Sequence, residues 1–319
     1  MNKEKALLLF LILVISPFFF FFGPGYGSSR SFQNFWDLGH ILFFALAAHA
    51  LVLFSEPLRR ETFHRQLAWI VGLTLGCGLV IELIQGGFSR TPDVGDMLRN
   101  LVGALFSLFF FNPANKEWPA KRRHGFRWLI LGAILAAAIP GAVSWVDEGV
   151  AEAEFPILAD FETPFQKSRW TGGARRTIRT EMASSGRRSM KVDMDTSTYS
   201  GVSLEYFPGD WQGFSTLALE VFNPQDEPLQ ITCRIHDQRH TRQKVQEYGD
   251  RFNKSYVLKK GWNAIRIDLE AVERAPRGRK MELSEIRGLG IFAVRLPEPR
   301  TIYIDHVRLL AGTFSPKSE

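Results

Sequence analysis

Ile231-Thr232-Cys233-Arg234-Ile235-His236 alternates apolar and polar residues one by one. A period of two marks a strand with one buried face. Cys233 and Ile235 then point one way, and Arg234 and His236 the other. The same alternation recurs at 189–194, 217–222, 264–269 and 301–309. Turn signals separate these runs: Asn223-Pro224, Lys260-Gly261, Pro276 with Gly278, and Pro297 with Pro299. About eight to ten short strands in about 150 residues predict an all-β sandwich, a jelly roll, over 157–319. Within it, 281–288 reads as a short helix or turn with Leu283 and Ile286 packing inward.

Upstream the composition changes. Of the 319 residues, the first 146 are mostly apolar and the remainder mostly polar, so the chain is expected to fold in two solvents. Five stretches approach the roughly 20 apolar residues that a membrane crossing needs: 6–23, 35–54, 67–86, 94–111 and 127–146. The first lacks a small-x-small cleavage site and is read as retained. Lys3 and Lys5, then Arg59, Arg60 and Arg65, then Lys116, Lys121, Arg122, Arg123 and Arg127 fall at alternate ends of these stretches. The positive-inside rule therefore predicts a five-helix bundle with a cytoplasmic N-terminus and an external β-domain, in a bacterial inner membrane. The net charge of +6 is spread over these clusters, which argues against a nucleic-acid partner and for a lipid bilayer. Two cysteines, Cys77 and Cys233, imply no disulfide framework and are read as buried thiols.

Polar residues recur at one expected depth of the bundle. They are Asp37 and His40; Glu82 and Gln85; and Arg90, Asp93, Asp96, Asn100 and Gly103. Ionisable groups within apolar helices face the bundle interior or a site. Two readings stand. The cluster binds a lipid head group or lipid-linked sugar, with Glu82 and Asp96 as an acid/base pair helped by His40; or the groups pair with one another and hold helices together. Gly72 and Gly76 suggest close helix packing. The motif Asp37-x-x-His40, Glu82-x-x-Gln85, Arg90, Asp93-x-x-Asp96, Asn100-x-x-Gly103 resembles the VanZ-like family over about 30–112. That family is named for a link to glycopeptide-antibiotic resistance. The resemblance implies an envelope setting and a polar site, without supplying a reaction.

The acidic run at 147–156 is read as a linker to the β-domain. From there, Leu158-Ala159-Asp160-Phe161-Glu162, Gly261-Trp262-Asn263 and Ile302-Tyr303-Ile304-Asp305 resemble a galactose-binding-like carbohydrate-binding module over about 155–311. The resemblance implies a structural Ca²⁺, for which Asp160, Glu162 and Asp305 are the candidate ligands, although Ca²⁺ takes 6–8 oxygens. No other cofactor is expected. The candidate glycan surface is Arg234, His236, Asp237, His240, Tyr248, Arg251, Phe252 and Asn253, where amphipathic rings sit beside directional hydrogen-bonding groups. Its arginines and histidines suit an acidic glycan; the bland alternative is a solvated sheet face. His236, Asp237 and His240 lie on strand and loop rather than helix, which disfavours zinc. Trp262 is read as core, and Trp170 and Trp211 are left open. The leading expectation is an envelope protein that binds glycan. A membrane enzyme using Glu82 and Asp96, and a non-catalytic anchor docking another envelope protein, are its alternatives.

Overall fold

A computed structural model describes residues 3–21, 23–25, 28–86 and 94–312; the side chains of residue 4, 16–21 and 81–86 lie outside this description. The chain divides into two units, Met1–Ser144 and Trp145–Glu319.

The first unit is helical: α1 (Lys3–Phe21), α2 (Arg30–Asp37), α3 (Gly39–Phe54), α4 (Glu56–Arg60), α5 (Phe63–Gly86), α6 (Val94–Phe110) and most of α7 (Ala120–Glu154). Ser29 and Ser55 begin α2 and α4 by accepting from the N–H of Phe32 and Leu58, as N-caps do. α3 and α6 approach closely at Gly103, where a Cβ would lie 2.2 Å from the carbonyl oxygen of Ile41. Gly72 and Gly76 have no atom within 4 Å of where a Cβ would be, so the close packing expected of them falls to Gly103 instead. Phe63, Phe109, Trp118 and Phe126 pack as a ring cluster, edge-on except for the stacked Phe109–Phe126 pair. Cys77 is exposed on α5, against the buried thiol expected, whereas Cys233 is buried and its pKa is pushed up to about 12 by burial.

The five-span bundle is overturned. Among the described residues, two helices are long and apolar enough to cross a membrane: Arg30–Phe54 and Ala120–Glu154. The apolar part of α1, Lys5–Ile15, is short of the roughly 20 residues required. α6 has 17 residues and spends its first two turns on Asp96, Arg99 and Asn100. α5 opens on His64, Arg65 and Gln66 and buries both Gln66 and Thr74. A composition window counts apolar residues but not these polar turns. The charge-parity argument for a cytoplasmic N-terminus and an external β-domain needs five crossings. The multi-pass inner-membrane placement therefore falls with them.

The second unit begins inside α7, whose end covers 147–154, most of the stretch read as a linker. It continues as a sandwich of β1 (Ile157–Ala159), β2 (Trp170–Thr171), β3 (Arg175–Arg179), β4 (Ser189–Met194), β5 (Tyr199–Leu204), β6 (Phe214–Asn223), β7 (Leu229–Asp237), β8 (Phe252–Leu258), β9 (Gly261–Asp268), β10 (Ile286–Val294) and β11 (Arg300–Ala311). One sheet runs β3-β4-β11-β6-β9, with β1 also on β11; the other runs β2-β5-β10-β7-β8. We call them sheet A and sheet B. Every pairing is antiparallel. Alternate residues meet between the sheets: Leu217, Leu219, Val221, Ile302 and Ile304 from A, and Ile231, Cys233, Ile235, Leu289 and Ile291 from B, all nearly inaccessible. Each such aliphatic side chain contributes about 1.5–3 kcal/mol by leaving water. Trp170 and Trp211 belong to this core.

The end of α7 is tied to the sandwich by a buried ion pair. The Arg169 Nε and Nη2 donate to Asp147 Oδ1 at 2.9 and 2.7 Å, and both side chains are almost wholly buried. Arg169 also donates to the Leu158 carbonyl, and the Gln166 amide donates to Glu154.

Candidate functional site

β10 is the central strand of sheet B, and its outward positions are Gly288, Gly290 and Phe292. Two glycines in a central strand weaken it unless something must lie close to the backbone. Here the His236 ring lies across Gly288, where a Cβ would be 2.3 Å from its Cε1. The Arg234 side chain lies across Gly290 and donates from Nη2 to Ser203 Oγ at 3.3 Å. Register places Arg234 opposite Asn253 and Gly290, and Phe252 opposite Ile235. Arg251 therefore lies beside His236 on the outer face, while Phe252 points inward to the core.

This face carries polar atoms that are buried and without a hydrogen-bond partner: Arg234 Nε, His236 Nδ1, Arg251 Nε and Asn253 Oδ1. Buried polar groups are normally satisfied, and each exception calls for a cause such as an unrecorded ligand or water. Burial, with the charges of Arg234 and Arg251, pushes the His236 pKa down to about 3, so its ring is neutral. Burial and the Arg251 charge likewise lower Arg234. Exposed aromatic rings flank the polar stretch. Tyr199 packs edge-on to Phe292 at 5.9 Å at one end, and at the other Arg251 lies 5.6 Å from the centre of the Tyr248 ring. A depression of about 590 Å³ lined by Gln243, Val245, Glu247, Tyr248, Gly249, Asp250 and Arg277 adjoins Tyr248.

His240 adjoins this face, its ring 5.3 Å from that of His236 and its Nε2 buried without a hydrogen-bond partner, while Asp237 is engaged beneath it. Asp237 is fully buried, caps the short helix α8 (Gln238–Thr241) through the His240 N–H, and accepts from the Glu282 N–H. Arg279 binds it with both terminal nitrogens, at 2.5 and 2.9 Å, and binds Asp250 at 2.5 and 2.8 Å. His240 Nδ1 joins Asp250 at 3.2 Å. Burial would raise the Asp237 carboxyl, but the Arg279 bonds override it and hold it below the usual range. The Arg279 bonds also bring Asp250 down to about 2. The network pins the segments after β7 and before β10, and leaves neither carboxylate free for a ligand. Arg279 was not among the residues expected from the sequence.

The expected calcium ligands are each engaged by hydrogen-bond donors of the chain. Asp305 Oδ2 accepts from the N–H groups of Ser184 and Ser185 and the Ser184 hydroxyl, and Oδ1 from the N–H of His306. Glu162 Oε1 accepts from the N–H groups of Arg187 and Arg188. Asp160 Oδ1 accepts from Gln166 and the Glu162 N–H. Glu162 and Asp305 thus hold the same loop, 184–188, while Asp160 holds Gln166. Among the described residues, no group of three or more His, Cys, Asp or Glu side chains is placed to hold a metal. These residues do not fit a calcium ion.

In the helical unit, His40 Nδ1 bonds Asn100 Oδ1 at 3.0 Å and His40 Nε2 is 3.7 Å from Asp96. Arg99 bridges Asp96 at 2.5 Å and Asp37 at 3.7 Å. Asn100 is buried beside Gly78. Asp37, His40, Asp96 and Asn100 are thus brought together with Arg99, Asp96 linking Arg99 to His40. Arg90, Asp93 and the side chains of Glu82 and Gln85 lie outside the described residues.

Sheet A has its own outward aromatic row. Trp262 and Tyr303 both pack against Phe222, at 5.3 and 6.0 Å. Trp262, expected in the core, is instead half-buried on this face.

No family model and no curated protein matches the chain, and nothing ties 30–112 to the VanZ-like family. Among solved structures, the sandwich is similar to an exo-β-agarase, at 18% identity over 49% of this chain and 25% of that one, with a TM-score of 0.40. It is similar to the family 11 carbohydrate-binding module from Clostridium thermocellum in complex with a β-1,3-1,4-mixed-linked tetrasaccharide (18% identity, 49% and 95% covered, TM-score 0.37). It is also similar to the Clostridium thermocellum xylanase 10B CBM22-1–GH10 modules complexed with xylohexaose (14% identity, 50% and 29% covered, TM-score 0.35). The chain spans about a quarter of the agarase's length.

Proposed function

We propose that the outer face of sheet B binds an oligosaccharide, and that the protein is a glycan-binding module carried on apolar helices. The observation that carries this reading is the row of four buried, unpartnered polar atoms on Arg234, His236, Arg251 and Asn253, laid over glycines and flanked by exposed rings. A sugar supplies what such a row lacks: hydroxyls that donate and accept along the floor, and apolar ring faces that stack on Tyr199, Phe292 or Tyr248. From Gly288 to Phe292 the strand runs about 13 Å at 3.3 Å per residue, which suits several linked rings rather than one. Neutral His236 adds an imidazole that can either accept or donate. Asp237 and His240 have a different part: they brace the adjoining loops through Arg279.

The helical cluster around Arg99 supports a structural reading, since its acids, His40 and Asn100 are engaged with one another. Membrane attachment is proposed for α7. Only 17% of its apolar window is buried, and Trp128, Leu129, Leu135, Ile139 and Val143 are exposed along it.

A glycan array probed with the full chain in detergent tests the binding reading. Arg234→Ala and His236→Ala are expected to weaken any hit by tenfold or more. Binding that survives both unchanged places the site elsewhere.

A further inference from the structure

The binding face has more positive charge than its own residues neutralise. Arg251 is close enough to Arg234 to disfavour the Arg234 charge, and neither arginine forms an ion pair among the described residues. The acid that Arg234 senses is Glu205, whose carboxylate is held by the Thr171 hydroxyl at 2.6 Å. At the other end, Asp237 and Asp250 are both paired with Arg279 and not with Arg251. His236 contributes no charge. The balance on the face is two guanidinium groups against one carboxylate. Like charges held side by side cost stability unless a counter-charge arrives. A guanidinium is the group best shaped to take a planar oxyanion through paired N–H donors, and the buried Nε of each arginine has no partner within the chain.

We infer that the ligand of sheet B is an anionic saccharide, one bearing carboxylate or sulfate oxygens that Arg234 and Arg251 bind together. The inference rests on the glycan reading above and names the class of sugar. The anion would lie between the two arginines, with the neighbouring rings of the chain running along β10 towards Tyr199 and Phe292. Neutral sugars would leave both Nε groups without a charged partner and would bind more weakly.

The test is calorimetry on the full chain in detergent micelles with four probes: an oligogalacturonate, its fully methyl-esterified form, a sulfated galactan oligosaccharide and a neutral mixed-linked β-glucan oligosaccharide. At least one anionic probe should bind ten times tighter or more than the ester and the neutral glucan. Its affinity should fall several-fold between about 50 and 500 mM salt, because screening shortens from beyond 10 Å to a few Å over that range. Arg251→Gln should remove most of the preference and Arg251→Lys should keep part of it, with thermal unfolding confirming that both variants fold. Whether uronate or sulfate wins identifies the oxyanion. Neutral and esterified probes binding as tightly as the anionic ones would overturn the anionic inference and leave the glycan reading standing. Failure of all four probes would overturn both.

Discussion

Replacing Arg279 with methionine removes the one cation that two buried or nearly buried carboxylates share. Asp237 has no solvent exposure, and its side chain would keep only the N–H groups of His240 and Glu282. Stranding a buried partner of an ion pair costs about 3–5 kcal/mol. In a domain of this size that is roughly 6–20 °C of melting temperature, at 2–4 °C per kcal/mol. The pH dependence gives the sharper signature. In the wild type, Asp237 and Asp250 titrate below the unfolded value of about 3.9, Asp250 at about 2. Their contribution is therefore complete above that unfolded value and lost as pH falls through the folded values. In the variant, burial without the arginine raises the Asp237 carboxyl, so protonation relieves the penalty as pH falls. Thermal unfolding of both proteins at pH 7 and pH 4.5 should show a deficit that is large at pH 7 and clearly smaller at pH 4.5. A second variant, Arg279→Met with Asp237→Asn, should recover part of it at pH 7. A deficit below about 1 kcal/mol, or one equal at both pH values, would refute the assignment of these bonds as the brace of the domain.

Arg169→Met should also cost about 3–5 kcal/mol, since Asp147 would remain buried without its cation; urea unfolding followed by fluorescence measures it. Gly103→Val should destabilise the helical unit by about 1–3 kcal/mol or more, because its Cβ meets the Ile41 backbone and not a movable side chain; helical circular dichroism on heating reads this out. A chelator such as EDTA should leave the melting temperature unchanged within error, because Asp160, Glu162 and Asp305 already accept from donors of the chain itself; a drop of several degrees would restore the metal.

The β-domain was legible because a half-buried strand writes its burial into alternate residues. Ile231, Cys233 and Ile235 face the core and Arg234 faces outward, as the period of two requires. The alternation reached Arg234 and His236 but stopped at Asp237, which ends the strand and caps α8. Its true partner, Arg279, lies 42 residues on in a segment with no periodic signal. Asp147 was hidden in an acidic run that looked like a linker, since nothing local shows that Arg169 buries it. The floor of the site did have a sequence signal that went unread: Gly288 and Gly290 are two glycines on one face of an apolar strand, and glycine there marks a close approach. The membrane reading failed for a complementary reason. Summed hydropathy does not register that Asp96, Arg99 and Asn100 fill the opening turns of α6, or that Gln66 and Thr74 are buried within α5.

The sandwich presents two candidate faces, so affinity measured on variants of each is the most direct test. For any glycan found to bind, Phe292→Ala and Arg234→Ala on sheet B should each weaken binding tenfold or more. Tyr303→Ala and Trp262→Ala on sheet A should leave it within about twofold, since 1.4 kcal/mol separates each factor of ten. The reverse pattern, with the sheet A rings essential and Arg234 dispensable, would contradict the account.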